Sequence, residues 1–293
     1  MQVFITGGTG LIGSAVVAEL LSHGHTILAL ARSDASATAL EEVGAEPLRG
    51  ALSDLKAIRE GARRADGVIH LAFANDFSSP AALDTAIAEE TAALLALGEE
   101  LTGTGKPLVV CSGTPWIPGR PSTEADPVST DGPVGGRGRT VQAILDLAEQ
   151  GVRSSAVRLP RTVHHHGEGG FAGLLTEIAR QSGVSGYPGD GSQRWPAVHA
   201  ADAASLFRLA LEKAEPGTSW QAVDDEGDSV LDIAAVIGRR LGVPVQGLPT
   251  ESFGPLGVIF ATDQPATSTR TREVLGWAPT HPKLLADLEN IQP

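Results

Sequence analysis

The residues whose types and spacing could do chemistry fall into three clusters: Gly7, Gly8, Gly10 and Gly13 near the start, Arg32-Ser33-Asp34 soon after, and His164-His165-His166 past the middle. Closely spaced glycines let a backbone approach a ligand. A guanidinium fork and a hydroxyl can hold a phosphate, and imidazoles exchange protons near neutral pH. Three adjacent histidines cannot all point one way. The run also lacks helical ligand spacing and an evident outside ligand, so no metal is expected there. One imidazole reaching a crevice could act as an acid or base; the competing reading is a structural or exposed run.

The glycine cluster takes its meaning from the elements around it. An apolar run over Gln2–Thr6 reads as a strand, and a helical pattern follows over Leu11–Ser22. Gly7 permits a tight turn, Gly10 lets the backbone approach a pyrophosphate, and Gly13 lets the helix pack closely on the strand. Free amides at the helix start, with the helix dipole, then face the phosphates. Gly7, Thr9, Gly10, Leu11, Ile12 and Gly13 are the candidate contacts of a bound dinucleotide.

Strand and helix patterns keep alternating, with strands expected near Gln2–Thr6, His25–Ala29, Glu46–Arg49, Gly67–His70, Pro107–Cys111 and Ser155–Leu159. Helices are expected near Leu11–Ser22, Ala35–Val43, Asp54–Gly61, Ala81–Thr102 and Arg139–Gln150. This order predicts an α/β Rossmann fold: a doubly wound parallel sheet, with ligands bound at the C-terminal ends of its strands. After Leu159 the rhythm changes, with helices near Phe171–Gln181 and Asp202–Ala214, a strand near Trp220–Val223 returning to the sheet, and segments around Val230–Leu241 and Lys283–Asn290 completing a small C-terminal domain. The expected organisation is a dinucleotide-binding domain over 1–160, with return segments near 195–223, and a smaller, sequence-interleaved substrate domain over 161–293. Gly254–Pro265 has turn residues and apolar residues without a period, which reads as a flexible substrate-side loop.

The tip of the second strand selects the cofactor. An acidic residue there would bind the adenosine ribose and repel an added phosphate; Arg32 and Ser33 stand there instead. Their chemistry favours the 2′-phosphate of NADP over NAD, although Asp34 could bind a ribose hydroxyl or pair with Arg32.

The G-x-x-G-x-x-G spacing resembles the short-chain dehydrogenase/reductase superfamily, in its extended and atypical, epimerase/dehydratase-like branches. The resemblance continues through Val68–Phe73, Leu108–Thr114, Trp195–Ala204 and Leu275–Pro279. It implies that Leu71, Ala72 and Phe73 form a cofactor loop and that Thr114 is the serine or threonine that hydrogen-bonds the substrate oxygen. The alternative for Thr114 is local bonding where a strand becomes a loop. The family's tyrosine and lysine, four residues apart, are absent: Arg137 and Val141 align with them, and the chain's one tyrosine is Tyr187. Arg137 could stabilise an oxyanion, bind a carboxylate or sit in solvent. His164 aligns with the tyrosine of a family Tyr-Gly pair, which makes it the candidate proton donor of the three. The resemblance gives His199 and Asp202 a structural role, and Ala51 replaces an adenine-binding aspartate; Tyr187 and Trp195 are candidate pocket walls.

A formal charge of −13 argues against nucleic acid and anionic membranes as partners. The single Cys111 excludes an internal disulfide, and no apolar stretch is long enough for a membrane span. The expected protein is cytoplasmic, with a small-molecule substrate and, optionally, a second copy in a homodimer. Its expected activity is NADP-dependent hydride transfer to a carbonyl or imine compound. The alternatives are a cofactor-binding regulator or scaffold and an epimerase or dehydratase.

Overall fold

A computed structural model describes residues 1–74 and 79–292. In chain order the strands are β1 (Gln2–Thr6), β2 (Thr26–Ala31), β3 (Glu46–Arg49), β4 (Gly67–His70), β5 (Pro107–Gly113), β6 (Arg153–Leu159), β7 (Thr162–His164), β8 (Ser185–Pro188), β9 (Arg194–His199), β10 (Thr218–Gln221), β11 (Asp225–Ser229) and β12 (Val245–Leu248). The helices are α1 (Leu11–Ser22), α2 (Asp34–Glu42), α3 (Leu55–Arg64), α4 (Pro80–Leu101), α5 (Gly135–Asp146), α6 (Gly170–Ser182), α7 (Ala200–Lys213), α8 (Val230–Leu241), α9 (Gly257–Phe260), α10 (Thr269–Leu275) and α11 (Leu284–Asp287).

Seven strands form one parallel sheet in the order β10-β6-β5-β4-β1-β2-β3. The order reverses at β1 and β4, so the crevice that receives a ligand in such sheets opens beyond Thr6 and His70, which are register partners. The apolar runs that give these strands both-face burial make two cores, one on each side of the sheet: Ile5, Val17 and Phe207 lie in one, Phe4, Leu97 and Ile144 in the other. The return segment is where the sequence places it, with Trp220 paired to Val157 at the sheet edge.

The remaining chain builds a third core around Trp195, Ile233 and Phe260, under the small sheets β11-β9-β7 and β12-β8. Strands β7, β8 and β12, of three or four residues, and the polar β11 carry no alternating pattern from which to foresee them. The expected loop Gly254–Pro265 instead carries a 3-10 turn and α9, anchored by the fully buried Phe260. The segment Lys283–Asn290 forms the four-residue α11 followed by a 3-10 turn. No helix among the described residues is long and apolar enough to cross a membrane.

Candidate active site

The crevice begins with the glycine turn after β1. Gly7 has φ +78, a conformation that disfavours other residues, and a Cβ there would come within 2.8 Å of the Ala72 amide nitrogen. A Cβ on Gly13 would overlap the Gly7 carbonyl, so this glycine lets the first turn of α1 close onto the loop. Gly10 differs: a Cβ there meets only the Gly7 carbonyl oxygen, at 3.6 Å, and the residue is exposed with Thr9 and Leu11. As N-cap, Gly10 brings no side-chain acceptor to the first amides of α1. Open space beside uncapped amides is what a pyrophosphate requires. Thr6 holds the facing loop: its hydroxyl oxygen lies 3.3 Å from the amides of Leu71 and Ala72 and 3.0 Å from His70 Nδ1.

At the tip of β2, Arg32 is exposed and has no carboxylate partner among the described residues. Asp34 pairs instead with Arg49, at 2.8 Å, on the neighbouring strand β3. Ser33 is the N-cap of α2 and shares a reciprocal capping box with Ser36, so its hydroxyl already has a structural task. Ala51 is exposed and the nearby Asp54 caps α3, leaving no free acidic side chain in that segment.

The chemical end of the crevice departs further from expectation. Arg137, on α5, is not a bare cation: its Nε and Nη2 donate to the two carboxylate oxygens of Glu90 on α4, at 2.6 and 2.7 Å. Its guanidinium also lies 3.9 Å from the centre of the Phe73 ring. Glu90 is buried, and a buried carboxylate requires such a partner. Burial, with a smaller push from the Arg137 charge, lowers His70 to about 3, while burial raises Cys111 to about 11. Both are therefore neutral at pH 7.

Thr114 follows β5, and its amide donates to the Leu159 carbonyl at the end of β6. The side-chain amide of Gln264 donates to the Thr114 carbonyl at 2.6 Å and lies 3.4 Å from its hydroxyl. The hydroxyl hydrogen has no protein acceptor among the described residues, so it can donate to a substrate oxygen. Two further contacts tie the same segment to the sheet edge: Trp116 Nε1 donates to Asp263 O at 3.0 Å, and Arg161 Nη1 donates to Ile259 O at 2.9 Å.

His164 is the most buried of the three histidines, but it does not open into this crevice. Its Nδ1 is 2.8 Å from Asp287 in α11, and the ring packs edge-on to His199. That correction has a local cause: β7 pairs with β9, which turns the ring inward among the C-terminal elements. His165 instead borders a cleft of about 640 Å³ between α1 and α7, shared with Leu11, Asp202 and His281. His166 is exposed, with φ 54.

His199 and Asp202 are structural, as the sequence implies. His199 Nδ1 accepts from the Ala201 amide at the start of α7; the Asp202 carboxylate accepts from the Thr280 and His281 amides and from the His281 ring. These two residues and His281 bring potential ligand atoms within 4.8 Å of one another, but the hydrogen bonds just named engage the Nδ1 atoms and the carboxylate. Trp195 is core rather than pocket wall, fully buried against Phe171 and Phe260, and Tyr187 lies in β8 against Gly191 and Gly247. Sequence reasoning missed Glu90, Gln264, Arg49 and Arg161. Glu90 had left a signal, since it lies on the helical face of α4 that also carries Ala86, Ala93, Leu94 and Leu97.

Fold and glycine turn together define an extended short-chain dehydrogenase/reductase. Residues 3–223 match the NAD dependent epimerase/dehydratase family, and the chain belongs to it. It is 41% identical over 297 residues to an uncharacterized protein of Schizosaccharomyces pombe, covering 98% of each chain. It is 26% identical over 298 residues to the 3-diazoavenalumate denitrifying reductase of a Streptomyces species, covering 96% of this chain and 97% of that one. Among solved structures, the UDP-glucose 4-epimerase of Thermotoga maritima superposes with a TM-score of 0.77 at 22% identity, covering 99% of this chain and 97% of that one. At this identity the superposition speaks for the fold alone.

Proposed function

We propose that the protein is an NADP-dependent reductase that transfers hydride to a small carbonyl or imine compound, through a mechanism without the family tyrosine. The observation that carries this reading is the Thr114 hydroxyl, free to donate at the sheet edge beyond the phosphate turn. When bound, the reduced nicotinamide supplies the hydride. The turn from Gly7 to Gly13 holds the pyrophosphate, Leu71 to Phe73 line the cofactor loop, and Arg32 with Arg49 nearby favours the 2′-phosphate. Thr114 donates a hydrogen bond to the oxygen or nitrogen that gains electron density. A substrate that enters as a protonated imine needs no strong acid, which suits a crevice in which His70, at the end of β4, is neutral and buried. Arg137 serves indirectly: paired with Glu90, it stacks on Phe73 and fixes the cofactor loop. A Streptomyces relative named a reductase across nearly its whole length is consistent with reduction, as an epimerase of similar identity is with the alternative chemistry.

Oxidation of NADPH with a panel of carbonyl and imine compounds tests the reading. Turnover of at least one compound, faster with NADPH than NADH, is the expected result. NADPH binding without turnover would favour a regulator or scaffold. Interconversion of UDP-sugars without net cofactor oxidation would favour an epimerase, the second chemistry that the family admits.

A further inference from the structure

Arg161 stands where β6 has ended, two residues after Leu159, whose carbonyl holds the Thr114 amide. Its guanidinium lies 5.3 Å from the centre of the Phe171 ring. Phe171 in turn packs on Trp195 and Phe260, with ring centres 5.6 and 5.5 Å away, so the cation rests on an aromatic floor. Arginine has five N–H donors, and this one uses a single Nη1 contact, to Ile259 O. Its Nε is buried with no acceptor, and no carboxylate pairs with it among the described residues. Arg194 nearby shows the contrast, since Asp263 satisfies it with two side-chain bonds.

A half-buried guanidinium without a carboxylate partner among the described residues, two residues past the strand end that holds the Thr114 amide, has donors left to grip an anion. We infer that Arg161 is the substrate-orienting residue of this site and that the substrate carries a carboxylate next to an apolar body. One planar fork matches the two oxygens of a carboxylate, whereas a phosphate dianion calls for more positive charge than this single residue brings. The apolar part follows from the same segment: Trp116, Val258 and Ile259 are the large exposed apolar residues around the bridge to Asp263 and Arg161. Desolvation lowers Arg161 to about 10, so it stays charged at neutral pH while the surroundings leave that charge poorly compensated. A carboxylate would compensate it.

This inference rests on the proposed reductase site but is tested by binding alone. Trp116 is 52% exposed and the other three tryptophans at most 1%, so tryptophan emission reports on this mouth. With the full chain and NADP⁺ present, 3-phenylpropanoate should bind about tenfold or more tightly than its uncharged amide. Arg161→Gln should bring the two affinities together by weakening the acid and sparing the amide. Arg161→Lys, which keeps the charge but loses the fork, should retain part of the difference and covers the case in which the glutamine variant does not fold. Equal affinities in the unmodified protein, no binding of the acid, tighter binding of inorganic phosphate, or an acid preference that survives Arg161→Gln would each overturn the inference. Because no turnover is read, a failure here leaves hydride transfer standing, and a failed turnover assay leaves this result standing.

Discussion

Two cationic regions face the same sheet edge and have opposite fates. Between α4 and α5, Arg137 is tied to Glu90 through two hydrogen bonds. Beyond β6, Arg161 has an aromatic floor and one carbonyl. The first is the residue that the sequence resemblance aligns with the family's tyrosine, and the second lies in a segment that attracted attention only for its histidines. Charge at an aligned position therefore does not establish a ligand site; what the folded chain leaves unpaired is the better guide to where one could lie. A buried ion pair is a finished structural unit, whereas a desolvated, half-satisfied cation is poised for a partner.

The largest expected effect separates these regions by stability. Arg137→Met would strand the buried Glu90 carboxylate and should cost about 3–5 kcal/mol in denaturant unfolding. The double variant with Glu90→Gln should recover much of that loss. Arg161→Gln should change stability little or raise it, because it removes a cation without a partner. A loss at Arg161 as large as that at Arg137 would collapse the comparison.

Smaller effects sharpen it by ligand. Removing the Thr114 hydroxyl in Thr114→Val should lower turnover by about 10²-fold, in the range of losing one preorganised donor, with NADPH affinity unchanged. At the other end of the crevice, Arg32→Ala should weaken NADPH by about 1.5–3 kcal/mol and NADH hardly at all, as read by calorimetric titration. Equal losses for both nucleotides would remove the 2′-phosphate assignment.

The buried imidazoles give the last prediction. Burial first, then the neighbouring His164 and His281, lowers His199 to about 4, and His70 lies near 3. Groups held neutral in the folded state bind protons more readily when unfolded. Their stabilising contribution is present above the ordinary histidine value near 6.5 and is lost as pH falls toward 4 for His199 and toward 3 for His70. Unfolding midpoints should therefore fall over that window, and a His199→Asn variant, able to cap α7 without titrating, should flatten the upper part of the curve.

Much of the nucleotide half was legible because its rules are local. A strand, a turn that only glycines satisfy and a helix start occupy one short stretch, and Gly7 and Gly13 take the roles that their spacing implies. The chemical half is assembled across long separations: Glu90 with Arg137, Thr114 with Gln264, and His164 with Asp287. No periodicity encodes those pairings. His164 shows the limit most clearly, since its inward orientation was readable but its destination depended on α11, far along the chain. The small strands β7 and β8, with three and four residues, were likewise set by tertiary pairing rather than by propensity.

The central claim is hydride transfer without the family tyrosine, and NADPH carrying deuterium at the transferring position of its nicotinamide tests it most directly. Incubated with the full chain and a carboxylate-bearing carbonyl or imine compound, the label should appear on the reduced carbon of the product, and Thr114→Val should slow its appearance without weakening NADPH binding. Saturated, bound NADPH that retains its label across the whole panel would contradict the account.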